Sequence, residues 1–568
     1  MSLKQEPELG KNFWLAMLLS MLVLMGYPYF MSKFVPQNTA AENQHEVQGP
    51  STETAPRDPA LTQAAPQLPR GTTELSPAQV VLSQTPEYFD YESGQYKLRF
   101  SNLGASLVYL EQTSKAGHEA HGTVFYSRES SANALVSPGT FALRLAHESA
   151  DLSYTFFKLK PHQPGSDRVE YEYEKPGEYR ITKSFVMGRS LATIGLEIRL
   201  ENLSAHDRHF PIELSYSLDY DPAAKVDFHF NEAIVMGEKI ETAKADKVEK
   251  KGFFSNKPIL WAGLAKKYYM IGVKPEWKIV AAETRGTSGV PTMNSMLRME
   301  PVTLTPGETQ TRKVLIYAGP QQYEHLKKTG AGFDAYFSRG MLGLFKVWLL
   351  VSLTYLNGFL HNYGWSIIAL TVLIKVLFAP ITHISFASQR KMQAIQPKMA
   401  ALKERYKDNA EKLHKETMEL FKRNRVNPMA GCLPMLVQMP VLIAMYHLLS
   451  EAVELQGAPF IGWMVDLSQP DRLFMFPFTV PFLGWDAFNL LPIFMIASQY
   501  GFQKIMPQPS TSPEQAMIFN LMPVMFGFIS YNMPAGLVLY WSLQNLLSIA
   551  HHMLVSRSPV NLHHEDKD

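Results

Sequence analysis

The chain has 568 residues, too long for one ordinary domain, and its 54 basic and 52 acidic residues leave a formal net charge of +2. That balance excludes a strongly basic nucleic-acid binder, and no recognition of nucleic-acid sequence is expected. One cysteine, Cys432, excludes an intramolecular disulfide.

Residues 1–12 precede an apolar run, Phe13 to Met31, of about the length that spans a bilayer. Lys4 and Lys11 ahead of it favour a cytoplasmic N-terminus, although Glu6 and Glu8 weaken the signal. A cleaved signal peptide is the rival reading. The run is long for one, and the small-residue site at Thr39-Ala40-Ala41 lies well beyond its end. An uncleaved transmembrane anchor over 13–31 is the expectation. Residues 32–87 are expected to follow as a disordered periplasmic linker. Its stretch Pro36 to Pro77 is rich in Pro, Thr, Gln, Ala and Glu and has too few large apolar residues to offset ordering entropy.

From about Tyr88 the pattern takes period two, as in Tyr96-Lys97-Leu98-Arg99-Phe100 and Ile212-Glu213-Leu214-Ser215-Tyr216. Short strands broken by Gly, Pro, Asn and Asp turns predict a large all-β sandwich over 88–335. His118-Glu119-Ala120-His121 falls one residue short of a zinc-type H-E-x-x-H pattern and reads as loop. Neither a metal nor any other cofactor is expected, since Gly-rich phosphate motifs are also missing from the sequence.

Residues 336–361 are ambiguous. Met341 to Leu360 is long enough to span, yet Arg339, Gly343, Lys346, Thr354 and Asn357 share one helical stripe. The stripe suggests an amphipathic helix lying in the interface. Transmembrane helices are then expected at 363–382, 428–449, 487–506, 515–531 and 534–555. Between the first two, residues 383–427 carry eleven basic residues against five acids, whereas Glu451 to Trp485 carries four acids and one base. The positive-inside rule puts the first loop in the cytoplasm and the second in the periplasm. Parity then keeps 336–361 on the surface, because a further span would export the basic loop. Six spans remain, with a cytoplasmic loop at 507–514, a cytoplasmic tail at 556–568 and both termini inside.

Within the basic loop, Met392, Ile395, Met399, Leu402 and Tyr406 repeat at three-four spacing, and Leu413, Thr417 and Leu420 continue after the Lys407-Asp408-Asn409 turn. This predicts a helical hairpin projecting into the cytoplasm. A hairpin that merely connects two spans is the plainer alternative.

Lys375 is the most informative residue, placed deep in a span with no acid in that stretch to pair with. A lysine at the bilayer centre costs about 2.5–3.5 kcal/mol on insertion scales, so it should face protein or water. Snorkelling toward the headgroups remains open. Thr371 lies one turn earlier on the same face. Gln438, Gln499, Asn520, Ser542, Gln544, Asn545 and Ser548 are uncharged polar residues of other spans that could converge with it into a wet, positively charged cavity. Pro428, Pro434 and Pro440 are expected to bend the span they occupy. Tyr540 and Trp541 read as interface anchors or cavity lining.

The run Asn427-Pro428-Met429-Ala430-Gly431-Cys432-Leu433-Pro434-Met435-Leu436-Val437-Gln438-Met439-Pro440 resembles the signature of the YidC/Oxa membrane protein insertases. Further matches are Pro459-Phe460 with Trp463, Asp466-Leu467-Ser468, and Pro534 through Trp541. The anchor, the exported sandwich and the surface helix match the Gram-negative form of the family, so the resemblance covers nearly the whole chain. It implies a multidomain membrane protein: an all-β periplasmic supersandwich, a five-helix insertase core with one N-terminal anchor helix, and a cytoplasmic helical hairpin. It also implies a hydrophilic groove in which a basic residue receives the polar part of a nascent membrane protein. That position is usually arginine, and Lys375 occupies it here, keeping the charge and losing the bidentate fork. Thr371, Gln438, Tyr540 and Trp541 match groove-side positions, with Asn520 and Asn545 as further candidates.

The expected activity is non-enzymatic: insertion and chaperoning of inner-membrane proteins, alone or with the Sec translocon. Expected partners are nascent membrane proteins, Sec components, the lipid bilayer, and the ribosome or signal recognition machinery through the hairpin. The tail, with Glu565, Asp566 and Asp568, is short and acidic, so ribosome contact would rest on the hairpin. The alternative from another class is a secondary transporter with Lys375 as an anion site. Against it, the five core spans show no repeated halves. A membrane-anchored periplasmic carbohydrate enzyme would leave five spans unexplained.

Overall fold

The structure is a computed structural model that describes residues 84–113, 123–128, 139–146, 151–163, 165–188, 192–220, 231–287, 290–407, 409–424, 433–480, 484–505 and 513–556. The expected anchor at 13–31, nearly all of the expected linker, His118–His121, Cys432 and nearly all of the expected tail lie outside these residues.

The N-terminal half is β-rich. A nine-stranded antiparallel sheet runs in the order Ile240–Lys244, Glu232–Met236, Trp261–Lys266, Tyr269–Pro275, Thr309–Pro320, Thr193–Asn202, Tyr179–Met187, Arg168–Lys175 and Lys158–Leu159. A five-stranded sheet built on Ile212–Asp219, Val290–Met299 and Ile279–Thr287, a four-stranded sheet over Tyr88–Ser127 and a two-stranded pair, Arg208–Phe210 with Val302–Leu304, accompany it. Alternation drives the stacking. In Thr193–Asn202 every second residue (Ile194, Leu196, Ile198, Leu200) is fully buried while its neighbours reach the surface. One short helix, α1 (Ala245–Lys251), interrupts the strands.

The core also holds a lysine. Lys183 is fully buried on Tyr179–Met187 and donates to the carbonyls of Gly104 (3.0 Å), Ala105 (2.5 Å) and Phe141 (2.7 Å). These acceptors come from turns on other strands, so one ammonium satisfies three buried carbonyls at once.

Two short helices, α2 (Tyr323–Lys328) and α3 (Asp334–Phe337), lead out of the sheets, followed by the long helices of the C-terminal region. Phe333 stands edge-on to Trp261 with centroids 5.1 Å apart, and the Tyr336 hydroxyl donates to Glu232 at 3.1 Å. Helix α4 (Gly343–Leu360) buries Leu349, Leu350 and Leu353 and turns Leu344, Trp348, Val351, Tyr355 and Phe359 outward. Its polar stripe therefore faces protein. Lys346 is buried, and its ammonium lies 2.6 Å from buried Glu451, whose other oxygen is 3.2 Å from His447.

Helix α5 (Tyr363–Arg405) is capped by Asn362, whose side-chain oxygen accepts from the Trp365 N–H at 3.2 Å. Gly364 is required there, because a Cβ would sit 2.1 Å from the Phe460 ring. The helix runs on through Pro380 and Pro397, well past Thr382. Its far end packs on α6 (Ala410–Arg423), with Ile395 and Phe421 buried and Met392, Met399 and Leu420 against them. Helix α7 (Leu433–Glu451) continues through Pro440. Helices α8 (Leu490–Ile505), α9 (Pro513–Ser530) and α10 (Ala535–Ser556) complete the region, with α10 packed on both α5 and α8. Among the described residues, α4 and α5 are long and apolar enough to cross a membrane by length and composition.

Candidate functional site

Helix α10 carries Tyr540, Gln544 and Ser548 at four-residue spacing, with Asn545 beside them. Four-residue spacing puts the three on one face, one turn above another. Facing them are Lys375 of α5 and Gln438 of α7.

The contacts run across all three helices. The Lys375 ammonium donates to the Ser548 hydroxyl at 2.6 Å, and Ser548 donates to the Gln544 carbonyl at 2.7 Å. The Gln544 amide donates to the Gln438 side-chain oxygen at 2.9 Å, and the Gln438 amide donates to the Tyr540 hydroxyl at 3.0 Å. Tyr540 is fully buried, Ser548 and Gln544 are buried, and Lys375 and Gln438 are half-buried. The partner of Lys375 is thus a hydroxyl and not a carboxylate. Its charge stays uncompensated by an opposite charge within that contact.

The other expected residues divide. Thr371 is fully buried but donates back to the Ile367 carbonyl at 2.6 Å, so its hydroxyl serves its own helix. Asn545 is buried and donates to Ser498 of α8 at 3.2 Å, which joins α8 to α10 beside the Lys375 network. Trp541 stands edge-on to Phe526 of α9 with centroids 5.1 Å apart, an apolar contact. Asn520 is exposed on α9 and takes no part in the network.

Several buried polar atoms here have no hydrogen-bond partner among the described residues: Gln499 Oε1, Ser542 Oγ, Gln544 Oε1 and His552 Nε2. Leaving such a group dry costs about 1–3 kcal/mol, so each calls for water or a transient partner. All four lie on α8 and α10.

Sequence reading singled out Lys375, Gln438 and Tyr540, and the structure brings these three into one network. Ser548 and Gln544 stood only among the polar residues that could converge with Lys375, and Ser548 is the hydroxyl the lysine touches. The signal was the four-residue spacing of Tyr540, Gln544 and Ser548. A second polar group was missed. Thr382 Oγ1 lies 3.3 Å from His551 Nδ1, and Arg390 donates to the Val555 carbonyl at 2.7 Å. Phe386 stands edge-on to both His551 and His552, at 5.2 and 5.3 Å. This group sits about two to four turns beyond Lys375 along α5, toward the basic end of that helix.

Comparison with known proteins bears on both halves. A family model for the 60Kd inner membrane protein matches residues 355–561, and one for the YidC periplasmic domain matches residues 91–351. The membrane protein insertase YidC of Syntrophus aciditrophicus is 33% identical over 395 residues, covering 69% of this chain and 70% of that protein. That of Cellvibrio japonicus is 34% identical over 415 residues, covering 71% of each. That of Pelobacter propionicus is 37% identical over 318 residues, and there the chain spans 58% of the relative's length. A crystal structure of an active YidC insertase with its first transmembrane domain resolved is similar over 82% of this chain, at 16% identity and a TM-score of 0.35. A galactose mutarotase related enzyme from Lactobacillus acidophilus is similar over 41% of this chain, at 7% identity and a TM-score of 0.31. Likeness of that order transfers no chemistry.

Proposed function

The chain belongs to the YidC family of membrane protein insertases, inner-membrane proteins with a periplasmic domain, and from that premise we propose that Lys375 and its network are the working surface of the insertase. The observation that carries the reading is the run of contacts from Lys375 through Ser548, Gln544 and Gln438 to Tyr540 across α5, α7 and α10.

Its physics is differential solvation. A polar or acidic flank crossing hydrocarbon loses hydration at high cost. A half-buried ammonium, amides and bound water at that depth replace part of the lost hydration. The apolar segment that follows then leaves sideways into lipid. The protein changes a transfer barrier and makes or breaks no covalent bond.

The topology we propose has six spans: residues 13–31, 363–382, 428–449, 487–506, 515–531 and 534–555. Both termini are cytoplasmic, residues 32–335 and 450–486 periplasmic, and 336–361 interfacial. The inward turn of Lys346 and outward turn of Leu344, Trp348 and Tyr355 support a helix seated against protein with its apolar stripe in the membrane surface. In this topology the far end of α5 and α6 forms a cytoplasmic hairpin, suited to receive nascent chains from the ribosome or signal recognition machinery. Work beside the Sec translocon fits the same arrangement.

The test is reconstitution. Purified full chain in liposomes should insert a short single-span protein without added nucleotide, and should not raise the flux of small organic anions. Anion flux without insertion would overturn the reading in favour of a transporter built around Lys375.

A further inference from the structure

Between α7 and α8 the chain forms an antiparallel hairpin, Phe474–Val480 with Trp485–Phe488, which the groove does not use. Its base is fixed to the helices. One Asp471 carboxylate oxygen accepts from the backbone N–H groups of Leu490 (2.8 Å) and Leu491 (3.0 Å) at the start of α8 and from the Trp463 indole at 3.1 Å. The Asn489 amide donates to the Tyr531 carbonyl at 2.6 Å, and the Tyr531 hydroxyl donates to the Ala487 carbonyl at 2.9 Å. Asp471, Asn489 and Tyr531 are all buried. The hairpin is therefore a built element with a fixed direction.

What it carries is unusual for a strand in water. Phe474 to Val480 contains no charge, and Phe474, Met475 and Phe478 are 51%, 56% and 61% exposed. Phe474, Phe476 and Phe478 alternate onto one face with successive ring centroids 5.7 and 5.8 Å apart, and Phe474 stacks on Phe488 at 5.0 Å. Strands at a sheet edge in water normally carry charges that prevent pairing and aggregation, and this one has none.

Its apolar surface continues that of the helices. Trp485 stacks on Tyr531 at 3.8 Å and on Phe528 at 5.5 Å, while Phe528 and Ile529 of α9 and Ile493 and Phe494 of α8 are turned outward. A two-stranded sheet has open edges whose backbone groups need water, so it cannot lie in the hydrocarbon core. Aromatic rings favour the headgroup level. Arg472 and Asp486, 3.6 Å apart and both about half exposed, flank the base as charges suited to that level.

We infer that this hairpin is a membrane-interface element that places Phe474, Met475 and Phe478 in the outer-leaflet headgroup region, its occupant being lipid. It adds an in-plane foot to the α8–α9 pair. The inference rests on the membrane placement of those helices proposed above.

The test uses the full chain in liposomes with its lone cysteine removed (Cys432→Ser). Single nitroxide labels are placed at Phe478→Cys and Met475→Cys, on opposite faces of the strand. Phe494→Cys on α8 and Leu260→Cys, exposed in the β domain, are the references. Collision with oxygen, which partitions into lipid, is compared with collision with a water-soluble nickel chelate. The expected result is an oxygen-to-nickel ratio at 478 well above that at 260 and approaching that at 494, with 475 agreeing. A ratio at 478 and 475 equal to that at 260 overturns the inference by placing the hairpin in water. Low collision with both reagents overturns it by showing protein cover, from a second copy or another partner. An aqueous ratio at 494 as well would remove the membrane placement itself, and the inference with it.

Discussion

Glu454 shows how a single carboxyl can record the packing around it. It is buried just beyond α7, and burial pushes its pKa up to about 7, against hydrogen bonding to its own backbone and to Gln322. The unfolded chain releases this proton near the usual carboxylate value and the folded chain only near 7. The folded state therefore binds more protons across that window, so stability is highest below the unfolded pKa and falls as pH rises through 7. The loss is about 3 kcal/mol or less. Thermal unfolding of the full chain in detergent from pH 4.5 to 8 should show this fall, and Glu454→Gln should flatten it. An identical slope in the variant would assign the fall to other groups. Lys375 differs in its legibility. The sequence shows it as a lone charge in an apolar run, which is a strong signal because the bilayer makes such a charge costly. Ser548 is hard to single out, since a serine on an apolar helix commonly bonds its own backbone, as Ser548 does toward Gln544 and Thr371 toward Ile367. Asn520 carries the same polar character and lies exposed, so residue type alone does not say which way a side chain points.

At the scale of elements, α4 is held by charge as well as by packing. Lys346 and Glu451 are both nearly out of water and lie 2.6 Å apart, and Lys346 also sits over the Phe337 ring at 4.1 Å. Removing one member of such a pair strands the other. Lys346→Met should cost about 3–5 kcal/mol and loosen α4 from α7, read as faster hydrogen exchange over 343–360. Lys346→Met with Glu451→Met should recover most of the loss. Equal damage in single and double variants would mean that packing alone seats the helix. The helical stripe of Arg339, Gly343, Lys346, Thr354 and Asn357 was visible in the sequence. Its direction was not, because an apolar face toward lipid and an apolar face toward core have the same period. Helix α6 offers a second test, given the small apolar contact of Ile395 and Phe421 and the many bases around it. Replacing Met392–Phe421 by a short linker should abolish or strongly impair insertion while the remaining helices keep their circular dichroism. Wild-type insertion after that deletion would reduce the segment to a connector.

At the scale of the whole molecule, a β domain is joined to a helical region. The β domain was legible from its period-two runs, because burial on one face of a strand writes itself directly into alternation. Its sheet order was not, since pairing of Thr309–Pro320 with Thr193–Asn202 joins segments far apart in sequence. Among the described residues, the contacts of the Lys375 network all lie within the helical region. Deleting most of residues 88–318, while keeping 1–87 and the chain from α2 onward, should leave insertion largely intact. Complete loss of insertion in a truncated chain still stable in the membrane would contradict this. The account as a whole stands on the claim that charge at residue 375 receives polar flanks. The direct measurement is protease-protected insertion of a small single-span protein by Lys375→Arg, Lys375→Ala and Lys375→Glu at matched levels, with the charge of its exported tail varied from negative to neutral. The account predicts that Arg retains activity, Ala is intermediate, and Glu loses most, with the loss greatest for acidic tails. Equal activity of all three variants across the series would contradict it.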